Sequence, residues 1–158
     1  MFTVADMMTP NPHTLSPDHT LDDAKDLMQL CGIRHVPITN HQGELVGLIS
    51  QRDILAAQES SLELAALTQT KSALDALIGD CMNPSLRSVD VHAGLKEAAI
   101  YMQKHKIGCL PILKGKQLIG IITDSDFVSI AINLLELQEE IDPIEQDDDA
   151  VLDHDFID

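Results

Sequence analysis

An internal repeat is the feature that most constrains how this chain can fold. When the 158-residue sequence is shifted by 74 residues, IRHVPI at 33–38 falls on IGCLPI at 107–112. One residue is lost in the following turn, after which LVGLISQRD at 45–53 falls on LIGIITDSD at 118–126. The 44 aligned positions that exclude this turn contain 14 identities, so we interpret the chain as two copies of one structural unit.

Each copy contains the same order of predicted elements. A Met-x-Pro segment leads into an extended stretch, a helix with apolar residues at spacings of three and four, two strands joined by a Gly-containing turn, and a second helix. The predicted elements of the two copies are helices at 20–31 and 94–105, strands His35–Thr39 and Cys109–Leu113, strands Leu45–Ser50 and Leu118–Thr123, and second helices from near Asp53 and Asp126.

One such unit is too small to bury both faces of its own sheet, so two units are expected to pack together. The sequence therefore predicts an α+β fold of two tandem repeats. Each repeat is a small three-stranded sheet with two helices, and the two form a pseudo-two-fold pair. The predicted divisions are repeat 1 at 1–60, a linker at 61–77 with a helical start and a mobile end, repeat 2 at 78–137, and an acidic, disordered tail at 138–158.

Charge and composition exclude several classes of protein. The formal net charge is −16, and residues 136–158 hold eleven acids and no Lys or Arg. No basic footprint for nucleic acid is present, and aromatic residues are only 3% of the chain. No apolar run reaches membrane-spanning length, and the three cysteines lie far apart without metal-ligand spacing. We therefore expect a cytoplasmic protein with no metal cofactor, no nucleic-acid partner and no membrane partner.

The last predicted helix, DFVSIAINLLELQEE at 126–140, is apolar on nearly all sides until Glu136. A helix of this kind must be covered on several faces, which indicates a homodimer or an unidentified protein target. The acidic end that follows is most simply a solvated tail. The alternative is a site for a divalent cation or a basic partner, although Asp147, Asp148 and Asp149 lack the Gly and the terminal Glu of a calcium-binding loop.

A Ser/Thr-x-x-Asp motif ends the second strand of each copy, as Ser50 to Asp53 and as Thr123 to Asp126. One interpretation is a helix cap, in which the hydroxyl and the carboxylate satisfy backbone N–H groups. A second interpretation adds a ligand, because a strand that ends at a helix N-terminus favours an anion. The hydroxyl could donate to a phosphate, the carboxylate could accept from vicinal ribose hydroxyls, and Gly47 or Gly120 would let a planar base approach the backbone.

These motifs, in this order and twice in one chain, resemble the CBS domain, and the pair resembles a CBS pair, or Bateman module, over residues 1 to about 137. The chain is similar to stand-alone bacterial CBS-pair proteins, including the acetoin-utilisation type. The resemblance implies a regulatory module that binds an adenosine nucleotide (AMP, ADP, ATP or an adenosyl metabolite) between its repeats. The site residues that it implies, with their charged neighbours, are Thr14, Arg34, His35, Val36, Pro37, Gly47, Ser50, Arg52 and Asp53 in repeat 1, and Ser88, Leu110, Pro111, Gly120, Thr123 and Asp126 in repeat 2.

The two implied sites differ in charge. Repeat 1 has Arg34, His35 and Arg52 where repeat 2 has Gly108, Cys109 and Ser125, and repeat 2 adds Asp124 beside Asp126. Guanidinium groups pair with phosphates, whereas a second carboxylate repels them. We therefore expect the Asp53 site to take the more highly charged nucleotide. Arg34 and Arg52 could also be ordinary surface charge.

The sequence also bears on two other kinds of function, an enzyme and an adaptor. No nucleophile–base pair, phosphate-binding Gly-rich loop or metal triad is apparent, so we do not expect an enzyme. An adaptor that acts through its last helix and acidic tail, without a ligand, is the alternative to the regulatory module.

Overall fold

The structure is a computed structural model that describes residues 1–68, 72–84 and 86–141. Between 61 and 68 it describes the backbone but not the side chains. It comprises two compact units, the first from Met1 to Thr123 and the second beginning at Asp124. The first unit contains the sheets of both repeats. The predicted linker end at 69–71 and most of the predicted tail, 142–158, lie outside the described residues.

Repeat 1 has the predicted elements with small changes at their ends. Its elements are α1 (Val4–Met7), β1 (Thr9–Pro10), α2 (Leu21–Cys31), β2 (His35–Thr39), β3 (Leu45–Ser50) and α3 (Gln51–Thr68). Helix α2 begins after a capping box, in which the Asp23 backbone N–H donates to Thr20 Oγ1 at 3.2 Å and the Thr20 N–H donates to Asp23 Oδ2 at 2.9 Å. The helix ends at Gly32 in the left-handed conformation, φ 65°.

Repeat 2 follows a short 3₁₀ turn, Ala73–Asp75. Its elements are α4 (Ile78–Cys81), β4 (Val89–Asp90), α5 (Leu95–His105), β5 (Cys109–Lys114), β6 (Gln117–Thr123) and α6 (Asp124–Ile141). The helices and the hairpin strands match those of repeat 1 in the same order, but β4 is equivalent to 15–16 in repeat 1, and β1 is equivalent to 83–84 in repeat 2. Strands β2 and β3 are antiparallel, as are β5 and β6. Their turns contain Gly43 and Gly115 at positive φ, the conformation that glycine adopts without strain.

The two repeats exchange their leading segments. Strand β1 of repeat 1 pairs with β6 of repeat 2, which gives the sheet order β1-β6-β5-β4. In return, Asn83 of repeat 2 forms a bridge with Leu48 of β3 in repeat 1. Equivalent hydrogen bonds confirm the reciprocity: the Ile78 N–H donates to the His19 carbonyl at 2.8 Å, and the Val4 N–H donates to the Ala93 carbonyl at 2.9 Å. The sequence predicted three strands per repeat. Repeat 2 has them as β4, β5 and β6, whereas the sheet of repeat 1 is β2 and β3 alone and its third strand is reduced to an isolated bridge between Leu15 and Ile38. The exchange brings a segment of the opposite repeat to each sheet.

Aliphatic side chains form the core of the first unit, and they occupy matched positions in the two repeats. The first helices bury Leu21, Ala24 and Met28 in α2 and their equivalents in α5. The central strands bury Val36 and Ile38 in β2 and Leu110 and Ile112 in β5. The α+β fold of two tandem repeats is confirmed.

Helix α6 begins the second unit and runs to Ile141, so residues 138–141 are helical rather than part of the expected tail. None of its side chains is buried. Among the described residues, no helix is both long enough and apolar enough to cross a membrane.

Candidate functional site

The junction between β3 and α3 contains no loop, because the strand ends at Ser50 and the helix begins at Gln51. The Asp53 backbone N–H donates to Ser50 Oγ at 3.1 Å, and the Ser50 N–H donates to Asp53 Oδ2 at 2.8 Å. The capping interpretation of the Ser-x-x-Asp motif is therefore confirmed in repeat 1. The cap does not use all of the hydrogen-bonding capacity of Ser50, because a serine hydroxyl that accepts a hydrogen bond still has its own proton to donate. The Asp53 side chain is exposed and uses only Oδ2 in the cap.

The start of β2 lies beside this junction. His35 is the antiparallel partner of Ser50, and the Gln51 N–H donates to the Arg34 carbonyl at 2.8 Å. Arg34 and Arg52 are both exposed, so their guanidinium groups are accessible near the end of β3. The structure thus brings Arg34 and His35 next to the Ser50–Asp53 cap, although they are 15 or more residues away in the sequence.

The segment that precedes α2 completes this edge of repeat 1. The Leu15 N–H donates to the Pro37 carbonyl at 3.3 Å, and the Thr39 N–H donates to the Leu15 carbonyl at 3.0 Å. These bonds place Thr14 next to the β2 backbone at Val36 and Pro37, and both of those side chains are buried. A ligand at this edge would therefore meet backbone atoms of β2 rather than its side chains.

Gly47 faces a side chain from the other repeat. A Cβ at Gly47 would overlap the sulfur of Met82 and would lie 2.9 Å from Met82 Cγ. In repeat 2, a Cβ at Gly120 would overlap the sulfur of Met8 and would lie 3.0 Å from its Cγ. The two glycines therefore have a packing reason to be glycine, and their contact with a ligand stays a prediction. The sequence alone did not identify the place of Met8 and Met82 over these strands.

The second junction repeats part of this geometry. Cys109 is the antiparallel partner of Thr123, just as His35 is the partner of Ser50. Leu110 and Pro111 are buried, and Ser88 directly precedes β4, which pairs with β5 through Val89 and Ile112. Asp124 and Asp126 lie in the first turn of α6. Cys109 places a buried thiol where repeat 1 has the half-buried imidazole of His35.

In the part of the chain that the structure describes, no group of three or more His, Cys, Asp or Glu side chains is arranged to hold a metal ion. What the first junction offers instead is a hydroxyl donor, a carboxylate acceptor and two accessible guanidinium groups. These groups suit a ligand with sugar hydroxyls and phosphates.

Known proteins with the same arrangement were found at the levels of sequence and structure. A crystal structure of a Vibrio cholerae protein assigned to acetoin utilization (AcuB) has 57% sequence identity, covers 89% of this chain and 97% of that one, and superposes with a TM-score of 0.76. A crystal structure of CBSX2 in complex with AMP has 30% identity, covers 85% of this chain and 99% of that one, and has a TM-score of 0.72. The Bacillus subtilis protein YhcV, described as CBS domain-containing, is 30% identical over 80% of this chain and 83% of its own length.

Other relatives are much longer than the matched region. The chain spans 36% of the Methanocaldococcus jannaschii protein MJ1404 and 22% of the inosine-5'-monophosphate dehydrogenase of Bacillus subtilis. The family model described as the CBS domain matches at residues 4–60 and again at 78–133. The chain therefore belongs to the CBS domain family and contains a tandem pair of these domains.

Proposed function

We propose that this protein is a regulatory module that binds an adenosine nucleotide at the strand–helix junctions of its CBS pair. The observation that carries the proposal is the Ser50–Asp53 junction, where a hydroxyl proton and a carboxylate oxygen are left available beside two arginines. The CBSX2 structure in complex with AMP, 30% identical to this chain, supports the same ligand class. The module has no catalytic role in this proposal.

Each residue at the first junction has a defined role. Ser50 Oγ donates to a phosphate, since the Asp53 N–H already uses it as an acceptor. Asp53 Oδ1 accepts from the two vicinal ribose hydroxyls. The adenine lies against the backbone of Val36 and Pro37, beside Thr14. The corresponding residues of repeat 2 are Thr123, Asp126, Leu110, Pro111 and Ser88.

The two junctions take nucleotides of different charge. Arg34 and Arg52 make the first junction suitable for a di- or triphosphate, because guanidinium groups form charge-assisted hydrogen bonds with phosphate oxygens. The second junction has Gly108 and Ser125 at these positions and adds Asp124, so a monophosphate or an uncharged adenosine ligand is favoured there. Ligand binding then regulates by stabilising one packing of the repeats, which requires different affinities for two states. We also propose that the protein acts in the cytoplasm as a homodimer.

A calorimetric titration with AMP, ADP and ATP, paired with thermal unfolding, tests the proposal. A nucleotide at 100 times its dissociation constant should stabilise the protein by about 2.7 kcal/mol and raise Tm by roughly 5 to 10 °C. Asp53→Ala should abolish binding at the first junction and leave binding at the second.

The capping box of α2 offers a matched control. Asp23→Ala removes the equivalent cap hydrogen bond, from the Thr20 N–H to Asp23 Oδ2, at a helix whose N-terminus is not part of either junction. Both variants should lose a similar amount of stability, but only Asp53→Ala should lose nucleotide binding. If no adenosine nucleotide raises Tm, or if Asp23→Ala weakens binding as much as Asp53→Ala, the proposed function is wrong.

A further inference from the structure

The first long helices of the two repeats carry opposite charges on their outer sides. In α2, three exposed residues follow one another at intervals of four, and they are Asp22, Asp26 and Leu30. Because an α-helix has 3.6 residues per turn, these side chains form a row along one side of the helix, which we call the α2 row. The row is acidic with an apolar end, and Leu30 is 84% exposed.

The equivalent row of α5 is basic. The shift of 74 residues that aligns the repeats places the α2 row on Lys96, Ile100 and Lys104, which are also exposed. We call these three residues the α5 row. Its apolar residue lies in the centre, and Ile100 is 52% exposed between the two lysines.

The repeat fold does not dictate the charge of either row. The buried residues of α2 and α5 are identical at equivalent positions, so the two helices pack on their own repeats in the same way. In the part of the chain that the structure describes, no salt bridge and no side-chain hydrogen bond involves the charged groups of the rows, Asp22, Asp26, Lys96 and Lys104. Each row therefore presents charge that the described chain does not neutralise.

Two copies of the chain can bring these helices together in three ways. Contact between two α2 rows places carboxylates against carboxylates, and contact between two α5 rows places ammonium groups against ammonium groups. Contact between an α2 row and an α5 row places carboxylates against ammonium groups. Each pairing covers similar aliphatic side chains, so the hydrophobic contributions are similar and charge favours the pairing of unlike rows.

The spacing within the rows suits this pairing in either direction. When Leu30 lies opposite Ile100, Asp26 lies opposite a lysine one turn away, because a lysine stands four residues to each side of Ile100. That lysine is Lys96 when the two helices are parallel and Lys104 when they are antiparallel. An apolar pair flanked by a charge pair is therefore formed in both cases.

We propose that this protein forms a two-fold dimer in which the α2 row of each copy binds the α5 row of the other. The contact occurs twice, because the symmetry that brings α2 of one copy to α5 of its partner also brings the partner's α2 to the first copy's α5. The dimer thus joins repeat 1 of each copy to repeat 2 of the other. This inference rests on the homodimer of the proposed function, adds its arrangement, and does not depend on nucleotide binding.

Neutralising either row tests the arrangement by the direction of its effect. The dimer Kd of the full chain is measured by sedimentation velocity for Asp22→Asn/Asp26→Asn and for Lys96→Gln/Lys104→Gln. Each variant should raise Kd about tenfold, since each removes charge pairs from both contacts, and salt should weaken the wild-type dimer. If like rows met instead, the same variants would relieve repulsion and lower Kd.

A control with the same change of net charge is Asp75→Asn/Asp80→Asn, at two exposed acids outside both helices. It should leave Kd unchanged. Exchanging the charges of both rows, in Asp22→Lys/Asp26→Lys/Lys96→Glu/Lys104→Glu, keeps the unlike rows complementary and should preserve the dimer, whereas Asp22→Lys/Asp26→Lys alone should disrupt it. Circular dichroism checks that each variant is folded.

The outcomes separate this arrangement from the homodimer itself. A wild-type chain that stays monomeric would overturn the homodimer and the arrangement together. A wild-type dimer whose Kd is unchanged or lowered in both neutralised variants would overturn the arrangement alone, and so would a folded but monomeric exchange variant. Nucleotide binding is measured independently by calorimetry, so its failure would leave this inference in place.

Discussion

Gly47 and Met82 provide the sharpest test of the exchange between the two repeats. Met82 precedes the strands of repeat 2, yet its side chain lies over Gly47 in β3 of repeat 1. In Gly47→Ala, the new Cβ would lie 2.9 Å from Met82 Cγ and 3.2 Å from Met82 Cβ, in addition to the overlap with the sulfur. The methionine side chain must therefore move from its present place.

The expected magnitude follows from two opposing effects. Overpacking of a buried site costs about 1–3 kcal/mol, with the lower part of that range appropriate for a flexible methionine. Gly47 is not at positive φ, so alanine recovers about 0.4–1 kcal/mol by restricting the unfolded chain. The clash is the larger effect, and we expect Gly47→Ala to lower the free energy of unfolding by about 1 kcal/mol.

A double-mutant cycle measured by urea denaturation isolates the contact. In a Met82→Ala background the overlap with the sulfur and Cγ is absent and only the 3.2 Å contact with Cβ remains, so Gly47→Ala should cost little or nothing. The Gly120 and Met8 cycle should behave in the same way, because there too one 3.2 Å contact remains, with the Thr9 backbone carbonyl. An equal cost for Gly47→Ala with and without Met82 would refute the contact and the exchange of segments that it reports.

Two further predictions concern ionisable groups. Hydrogen bonds from the backbone N–H and then from the side chain of Thr20 lower the pKa of Asp23 from 3.8. The Asp23 carboxylate therefore stabilises the folded state above about pH 3.8, and this stabilisation is lost as the pH falls through the folded-state pKa. The difference in unfolding free energy between the wild type and Asp23→Asn should therefore be constant near neutral pH and shrink in acid, and a difference that does not change down to pH 2 would contradict this. Desolvation, and secondly Asp80, raise the pKa of the Cys81 thiol above 9.0. Iodoacetamide should therefore alkylate Cys81 more slowly in the folded chain at about pH 8 than in urea, which peptide mass mapping can measure. Equal alkylation rates in the two conditions would contradict the prediction.

Much of the fold could be read from the sequence because each repeat carries clear local signals. Strands β2 and β3 have the bounds that the sequence predicts, since a short apolar run on each side of a Gly-containing turn is typical of a hairpin. Helix α2 is within one residue of its predicted start, because the apolar spacing of Leu21, Ala24 and Met28 and the cap at Thr20 both indicate it.

The exchange of leading segments could not be read from the sequence. A repeat alignment shows that Met8 and Met82 are equivalent, but it does not say which of two equivalent sheets each segment joins. That choice depends on long-range pairing, such as Thr9 with Ile121, which leaves no local pattern. For the same reason, the sequence did not explain Gly47 and Gly120 by packing against a methionine of the other repeat.

The candidate site was predicted in part. The pairing of Ser50 with Asp53 is local, so a three-residue spacing was enough to predict the cap. The position of His35 opposite Ser50 followed from the predicted hairpin once its register was known. Which ligand the available groups at this junction bind is not encoded in any local pattern, because the same cap geometry also occurs at Thr20 and Asp23, away from both junctions.

The exchange links the first junction to the leading segment of repeat 2. Ser50 ends β3, and two residues earlier Leu48 is bridged to Asn83, whose N–H donates to the Leu48 carbonyl at 3.3 Å. By the equivalence of the repeats, β6 pairs with Thr9 in the leading segment of repeat 1. Under the proposed function, a ligand that displaces the end of β3 would therefore act on the backbone of the other repeat. The close packing of Met82 on Gly47 would resist a gradual deformation of this contact and favour a shift of the whole segment.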